Sequence, residues 1–156
     1  MEEDVVYNAT GGVVECPEPK SARECAIIAA HAANEKKASD VMIQEVSELT
    51  SMADYFVIVT ATNNRQVNAI VDAIEEDVRR KGGMKPNHRE NGDGNWVLLD
   101  FGSFVVHVFQ EETRDYYKLE ELWNDAPIID LSKEEGFEDM VYSQRIAEFL
   151  ESCKNA

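Results

Sequence analysis

The sequence predicts an α/β or α+β fold in which a mixed β-sheet is flanked by helices. Residues 55–59 form a short β-branched and aromatic run, which is typical of an interior strand. Apolar residues in the range 67–78 recur at the spacing of an amphipathic helix. Two further runs, 96–101 and 104–109, are joined by Gly-Ser and indicate a β-hairpin, because glycine supplies the positive φ of a tight turn.

The chain begins with a segment, residues 1–19, that mixes acidic residues, two glycines and two prolines without any periodicity. We expect it to be a flexible N-terminal arm. Ser21 and Glu24 then have the spacing of a capping box, in which each side chain satisfies a free backbone N–H at the start of a helix. Small apolar residues follow at helical spacing, and this helix should run to about residue 37.

Two weaker strand candidates belong at the edges of the sheet. Residues 41–46 are apolar until Gln44 and Glu45 interrupt the run, which favours a peripheral strand. Residues 84–90 contain Pro86, which cannot donate a ladder hydrogen bond and is found on edge strands.

Three further helices are predicted from end signals and periodicity. Asn63 and Gln66 form a second capping-box candidate, and glycines at 82–83 end that helix. A helix over residues 113–123 follows the hairpin. The range 134–152 is helical in pattern again, and the sequence leaves open whether this segment packs on the domain or frays.

We therefore divide the 156 residues into the arm (1–19), a central domain (20–130) and a C-terminal helical extension (131–156). No run approaches the ~20 apolar residues that span a bilayer, and the acidic N-terminus carries no secretory signal. The three cysteines are odd in number and lack CxxC spacing, which argues against a disulfide framework and against a zinc site. We expect a cytoplasmic protein without membrane association.

The net charge of −16 narrows the class of partner. A surface this acidic repels phosphate backbones, so little direct contact with nucleic acid is expected. A basic surface is favoured as partner, because opposite potentials speed encounter and exclude wrong partners. Acidity also keeps a protein soluble, and composition does not separate these two meanings.

The first strand of the hairpin divides its side chains between two faces. Val97 and Leu99 belong to the core face, whereas Trp96, Leu98 and Asp100 share the opposite face. An aromatic stripe usually belongs to a core, but aromatic residues beside charges are also typical of protein interfaces. Since Trp96 faces away from the core positions, we expect its side chain to be exposed.

No residue set in the sequence points to catalysis or to a metal. There is no Gly-rich loop that opens a helix, and no cluster of histidines or cysteines. His107 interrupts an apolar strand, and a buried, hydrogen-bonded histidine is favoured over a catalytic one. Asp100 lies near the end of an apolar strand and needs a partner. It could accept hydrogen bonds from the turn, ligate a metal or meet an external cation, and these alternatives stay open.

The joint pattern of several short segments resembles the ribosomal silencing factors, also called Iojap-like proteins. The resemblance covers residues 22–128 in the same order, so that 20–130 is identified as an Iojap-like domain. The segments that carry it are Asp-Tyr-Phe-Val-Ile at 54–58, Thr-Asn-Asn-Arg at 62–65, Trp-Val-Leu-Leu-Asp-Phe-Gly at 96–102, Val-Val-His-Val-Phe at 105–109 and Arg-Asp-Tyr-Tyr-Lys-Leu-Glu-Glu-Leu-Trp-Asn-Asp-Ala at 114–126.

The resemblance implies a nucleotidyltransferase-like fold without catalytic residues, and hence no enzyme activity, cofactor or metal. It implies binding to a large-subunit ribosomal protein (number fourteen), which sterically blocks joining of the ribosomal subunits and represses translation. The family's site residues fall on Trp96, Asp100 and Tyr117, and Leu98 is added as an apolar contact from the same strand face. A homodimer of the unbound protein is also compatible with the resemblance.

The competing interpretation is a nucleotide-binding or nucleotidyltransferase-like enzyme. Such a site requires a Gly-Ser turn followed, within about a helical turn, by paired aspartates that hold Mg²⁺. Here the Gly-Ser at 102–103 is followed by Phe-Val-Val-His, which supplies no such pair.

Overall fold

The computed structural model of the chain describes residues 5–7, 13–15 and 20–154. Within these residues the strands are β1 (Val5–Tyr7), β2 (Val13–Glu15), β3 (Ser39–Glu45), β4 (Tyr55–Ala61), β5 (His88–Glu90), β6 (Trp96–Asp100) and β7 (Phe104–Gln110). The α-helices are α1 (Ala22–Glu35), α2 (Asn64–Gly82), α3 (Glu111–Tyr117), α4 (Leu119–Leu122) and α5 (Gln144–Lys154). Among the described helices, none has both the length and the apolar character needed to cross a bilayer.

Five of these strands form one mixed sheet in the order β3-β4-β7-β6-β5. The β4–β7 pair is parallel, and the other neighbouring pairs are antiparallel. The predicted fold class, a mixed sheet with helices, is confirmed. Most of the predicted arm lies outside the described residues, and β1 and β2 within it pair antiparallel in a separate two-stranded sheet.

Each face of the five-stranded sheet packs against a different set of helices. On one face, side chains such as Val57, Leu99 and Val106 pack with buried residues of α1 and α2. On the other, side chains such as Ile58 and Phe109 pack with Leu119, Ala126 and the apolar side of α5. The central strand β7 is buried on both faces, as its nearly continuous apolar sequence predicts. Each fully buried aliphatic or aromatic side chain contributes roughly 1.5–3 kcal/mol to stability.

The predicted helix starts and the predicted hairpin turn are confirmed, but only the serine half of the first capping box is seen, because Glu24 Oε1 accepts from Ser21 Oγ and not from a backbone N–H. Ser21 Oγ accepts a hydrogen bond from Glu24 N at 3.2 Å, and Asn63 Oδ1 accepts one from Gln66 N at 2.9 Å. Helix α1 ends at Glu35, two residues short of the predicted limit. Between β6 and β7, Gly102 has φ = +87°, which only glycine adopts without strain.

Strand β3 lies at the edge of the sheet as predicted, but the reason given for this position was wrong. Gln44 does not mark a solvent-facing strand, since its side chain is completely buried. Its Nε2 donates to the carbonyl oxygens of Glu120 and Trp123, at 2.9 and 3.2 Å. The outer side of β3 is covered by residues 127–129, which exchange two backbone hydrogen bonds with it and so shield the edge.

The single helix predicted over residues 113–123 is instead two short helices, α3 and α4. They meet at Lys118, whose φ of 50° is left-handed. The break brings Arg114 Nε to 3.0 Å from Glu120 Oε1. Two residues six apart on a continuous helix lie on different sides of it, so this pair requires the chain to turn.

Arg114 is the largest completely buried side chain near this break. Besides Glu120, it donates to the Asp40 carbonyl oxygen and, at 2.9 Å, to Thr60 Oγ1. Burial lowers the pKa of Arg114, and the carboxylate of Glu120 opposes that shift. One guanidinium thus ties the α3–α4 break to the two strands β3 and β4.

The C-terminal helical pattern predicted over residues 134–152 is only partly helical, because α5 begins at Gln144. Gly136, at φ = +93°, is incompatible with a right-handed helix, and Phe137 is buried in the core on the α1 side. Helix α5 packs back on the sheet through Phe149 and Leu150, and its Ile146 is fully buried. The domain limits 1–19, 20–130 and 131–156 stay a prediction.

We predict that Arg114→Met destabilises the protein by about 3–5 kcal/mol, because it leaves the carboxylate of Glu120 buried without its closest cation. A double variant that adds Glu120→Leu removes the remaining charge and should recover part of the loss. Urea unfolding monitored by circular dichroism measures both values. A double variant no more stable than Arg114→Met would contradict this account.

Candidate functional site

Strand β6 carries the predicted site face. Val97 and Leu99 are buried, whereas Trp96, Leu98 and Asp100 on the opposite face are partly exposed, so the predicted alternation is confirmed. The strand lies between the buried β7 and the three-residue edge strand β5. The face of β6 that carries Trp96, Leu98 and Asp100 is less covered than the neighbouring strand β7, which is almost completely buried.

Trp96 is half-buried, so the expectation of an exposed side chain was wrong. Its indole Nε1 donates to His107 Nδ1 at 3.1 Å. Its ring centroid lies 4.6 Å from that of Phe109, its cross-strand partner on β7. The hydrogen bond and this aromatic contact hold one side of the indole against the sheet and leave the rest accessible.

His107 is a buried structural histidine, as predicted. Burial lowers its pKa to about 3, so the ring is neutral at pH 7. Because Nδ1 accepts the hydrogen bond from Trp96, the ring hydrogen is assigned to Nε2. Nε2 has no hydrogen-bond partner in the part of the chain that the structure describes, and the ring meets Phe56 edge-on at 5.2 Å. This histidine orients the indole of Trp96.

Tyr117, the last residue of α3, lies against Trp96 with ring centroids 5.0 Å apart. Half of its surface is exposed, and its neighbour Tyr116 is 79% exposed. The rings of Trp96 and Tyr117 border a shallow depression, which we call the aromatic groove. Its lining includes Glu90, Asp93, Trp96, Leu98, Thr113 and Tyr117.

Asp100 lies at the other end of β6 and does not line the aromatic groove. Its Oδ1 accepts a hydrogen bond from Gly102 N at 2.7 Å, so the turn role, one of three alternatives left by the sequence, is confirmed. On the neighbouring strand it faces His88. Within residues 20–154 no group of three or more His, Cys, Asp or Glu side chains is placed to hold a metal ion.

The structure therefore brings three of the four predicted site residues together, namely Trp96, Leu98 and Tyr117, with Asp100 along the same strand face. Analysis of the sequence missed the carboxylates of the groove, Glu90 and Asp93. Glu90 faces Leu98 through the β5–β6 pairing. Only that register reveals this proximity, because β5 is too short and polar to be aligned from its sequence. The groove is consequently anionic and aromatic.

Acid should destabilise the wild-type protein more than a His107→Gln variant. The pKa of His107 is about 3 when folded, against an ordinary 6.5, so the unfolded state binds the extra proton between these values. This contribution to stability is complete above about pH 6.5 and falls by up to ~1.4 kcal/mol per pH unit below it. Thermal unfolding at neutral pH and near pH 5 measures the difference. Equal losses in both proteins would contradict a buried, neutral His107.

Comparison with known proteins matches residues 19–149 to the family described as "Ribosomal silencing factor during starvation". The chain is similar to the ribosomal silencing factor RsfS of Bacillus subtilis, with 38% identity over 104 residues that cover 67% of this chain and 88% of that protein. It is 35% identical to the chloroplastic protein Iojap of Zea mays over 131 residues, 82% of this chain and 57% of that one. A crystal structure of a Chromobacterium violaceum protein is similar with a TM-score of 0.64 and 29% identity, covering 76% of this chain and 100% of that one. The chain belongs to the ribosomal silencing factor family, whose role is to regulate translation at the ribosome.

Proposed function

We propose that this protein binds a large-subunit ribosomal protein (number fourteen) through the face that carries Trp96, Leu98, Asp100 and Tyr117. Occupying that protein would sterically block joining of the two ribosomal subunits and so repress translation. The observation that carries the proposal is the partly exposed Trp96–Tyr117 ring pair, which borders a groove containing carboxylates. Family membership supports the ribosome as the target.

The aromatic groove has the composition of an interface hot spot. Tryptophan and tyrosine supply large apolar areas, and truncating such a residue commonly costs about 2 kcal/mol or more of binding free energy. The hydrogen bond to His107 fixes the indole of Trp96 before binding. Less conformational entropy is therefore lost when the partner arrives.

The charge of the chain selects the kind of surface that this groove meets. A net charge of −16 repels ribosomal RNA and attracts a surface rich in Lys and Arg. Asp100 gives one hydrogen bond site to the turn, yet a carboxylate offers about four lone-pair sites. We infer that Asp100 also pairs with a cation of the partner. We further propose that this binding takes place in the cytoplasm. When unbound, the protein would use the same face to form a homodimer.

Tyr117→Ala is the direct test of the ring pair. Trp96→Ala would also remove the bond to His107, whereas Tyr117 is half exposed. We expect Tyr117→Ala to weaken co-sedimentation with purified large subunits about thirtyfold, equivalent to ~2 kcal/mol, and to relieve the block on subunit joining. The matched control is Val141→Ala, a 66% exposed apolar residue beside β3, three strand positions from β6. Failure of the wild-type protein to sediment with large subunits at moderate salt would reject the proposal.

Asp100→Asn separates the cation-pairing role from the turn role. Asparagine retains an oxygen that can accept from Gly102 N but carries no charge. If Asp100 pairs with a cation, the variant should bind large subunits about tenfold more weakly with unchanged thermal stability. Asp72→Asn makes the same charge change at an exposed position of α2, on the opposite side of the sheet. Equal affinities of the two variants would leave Asp100 with the turn role alone.

A further inference from the structure

Arg145, in the first turn of α5, contacts side chains on both sides of the α3–α4 break. Its guanidinium lies 3.0 Å from Asp115 Oδ1 on α3. On α4 it lies 3.4 Å from Glu120 Oε1 and 3.1 Å from Glu121 Oε2. A planar guanidinium presents several N–H donors in a fixed fork, which suits it to join groups that point from two elements.

The α3–α4 break is held on its inner side by Arg114 and Gln44, and on its outer side by Arg145. The two helices contain seven and four residues, and neither has a side chain that caps its first turn. Helices this short are unstable unless tertiary contacts fix them. Lys118 between them adopts a left-handed conformation that a residue with a side chain rarely takes without support.

Repulsion among the carboxylates of Asp115, Glu120 and Glu121 would also push α3 and α4 apart if no cation lay between them on the outer side. Asp115, Glu120 and Glu121 converge on one guanidinium. Glu120 is completely buried, and its other ion-pair partner, Arg114, faces the strands. Arg145 is therefore the cation that offsets these carboxylates from the outer side, and its own side chain is mostly sheltered, with 26% exposed.

Tyr116 and Tyr117 are the two residues immediately before the break. The position of the Tyr117 ring against Trp96 thus depends on the direction in which α3 ends. We propose that Arg145 is a positioning residue, which joins α3 to α4 and thereby holds Tyr117 in the aromatic groove for the ribosomal partner. This inference rests on the proposed function for the identity of the partner, but the positioning itself is a property of the free protein.

Helix α5 has attachments that do not involve Arg145. Phe149 and Leu150 pack on the sheet, Ile146 is fully buried, and Ser143 N donates to Asp40 Oδ1 at 2.6 Å. Replacing Arg145 should therefore leave α5 in place and affect the break alone. Arg145→Met suits this purpose, because methionine keeps an unbranched stem without the charge.

Hydrogen exchange of the free protein tests the positioning without any partner. The amides to follow are those of Lys118, which bonds to the Arg114 carbonyl oxygen, and Glu121, which bonds to the Lys118 carbonyl oxygen, both at 2.9 Å. Arg145→Met should speed their exchange roughly tenfold and leave β7 unchanged. The matched control is Arg79→Met, which removes a 3.1 Å ion pair and the same charge from α2 on the opposite side of the sheet. Equal exchange at the break in both variants would overturn the inference.

A double-mutant cycle on purified large subunits tests the link to binding. Arg145→Met should weaken co-sedimentation about three- to tenfold relative to Arg79→Met, and should have no further effect when Tyr117→Ala is already present. Equal losses in both backgrounds would mean that Arg145 does not act through Tyr117, and unchanged binding would reject its role in recognition. If the wild-type protein does not bind large subunits, the proposed function fails, while the exchange experiment still decides the positioning.

Discussion

Unequal cover of the two faces of the sheet is the constraint on which the candidate site depends. Helices α1 and α2 bury one face as far as Leu99 on β6. On the other face α4 and α5 bury Ile58 and Phe109, but the β6 side chains on that face, Trp96, Leu98 and Asp100, stay partly exposed. Burying apolar surface that is left in contact with water is favourable, so a partner that covers it gains free energy. The aromatic groove lies where the helices on this face stop short of β6.

The groove combines this exposed apolar surface with an interior that fixes it. Trp96 donates to a histidine that burial keeps neutral, so the bond joins an uncharged donor to an uncharged acceptor. A charged histidine at the same position would require burial of a cation with no carboxylate beside it among the described residues. The lowered pKa of His107 therefore follows from its burial inside the sheet, where it supports the indole of Trp96, whereas general acid–base chemistry near neutral pH would require a pKa close to the ordinary 6.5.

Local signals account for the features that the sequence predicted correctly. A helix cap such as Ser21, the glycine turn at Gly102 and the alternation along β6 each depend on neighbours within a few residues. The errors occurred where distant residues decide the conformation. The helix is broken at Lys118, and this break allows Arg114 to bond both Glu120 and the strands. Gln44 is buried because a backbone carbonyl of α4 accepts a hydrogen bond from its side-chain amide. Of the site, the resemblance supplied the residue identities, whereas the ring contact and the groove carboxylates required the tertiary structure.

The proposed obstruction of subunit joining requires a well-oriented face more than it requires reactive groups. Trp96 and Asp100 already hold internal hydrogen-bond partners, His107 and the turn, so both side chains are oriented before a partner arrives. Tyr117 is different, because its orientation comes from a helix end and not from a bond of its own within the sheet. Carboxylates are abundant in a chain of net charge −16, and those that converge beside this helix end require a cation to stay together. Tyr117 is thus the aromatic member of the candidate site whose position depends on electrostatics, and the outer of the two guanidinium groups beside its helix end, that of Arg145, comes from the C-terminal helix.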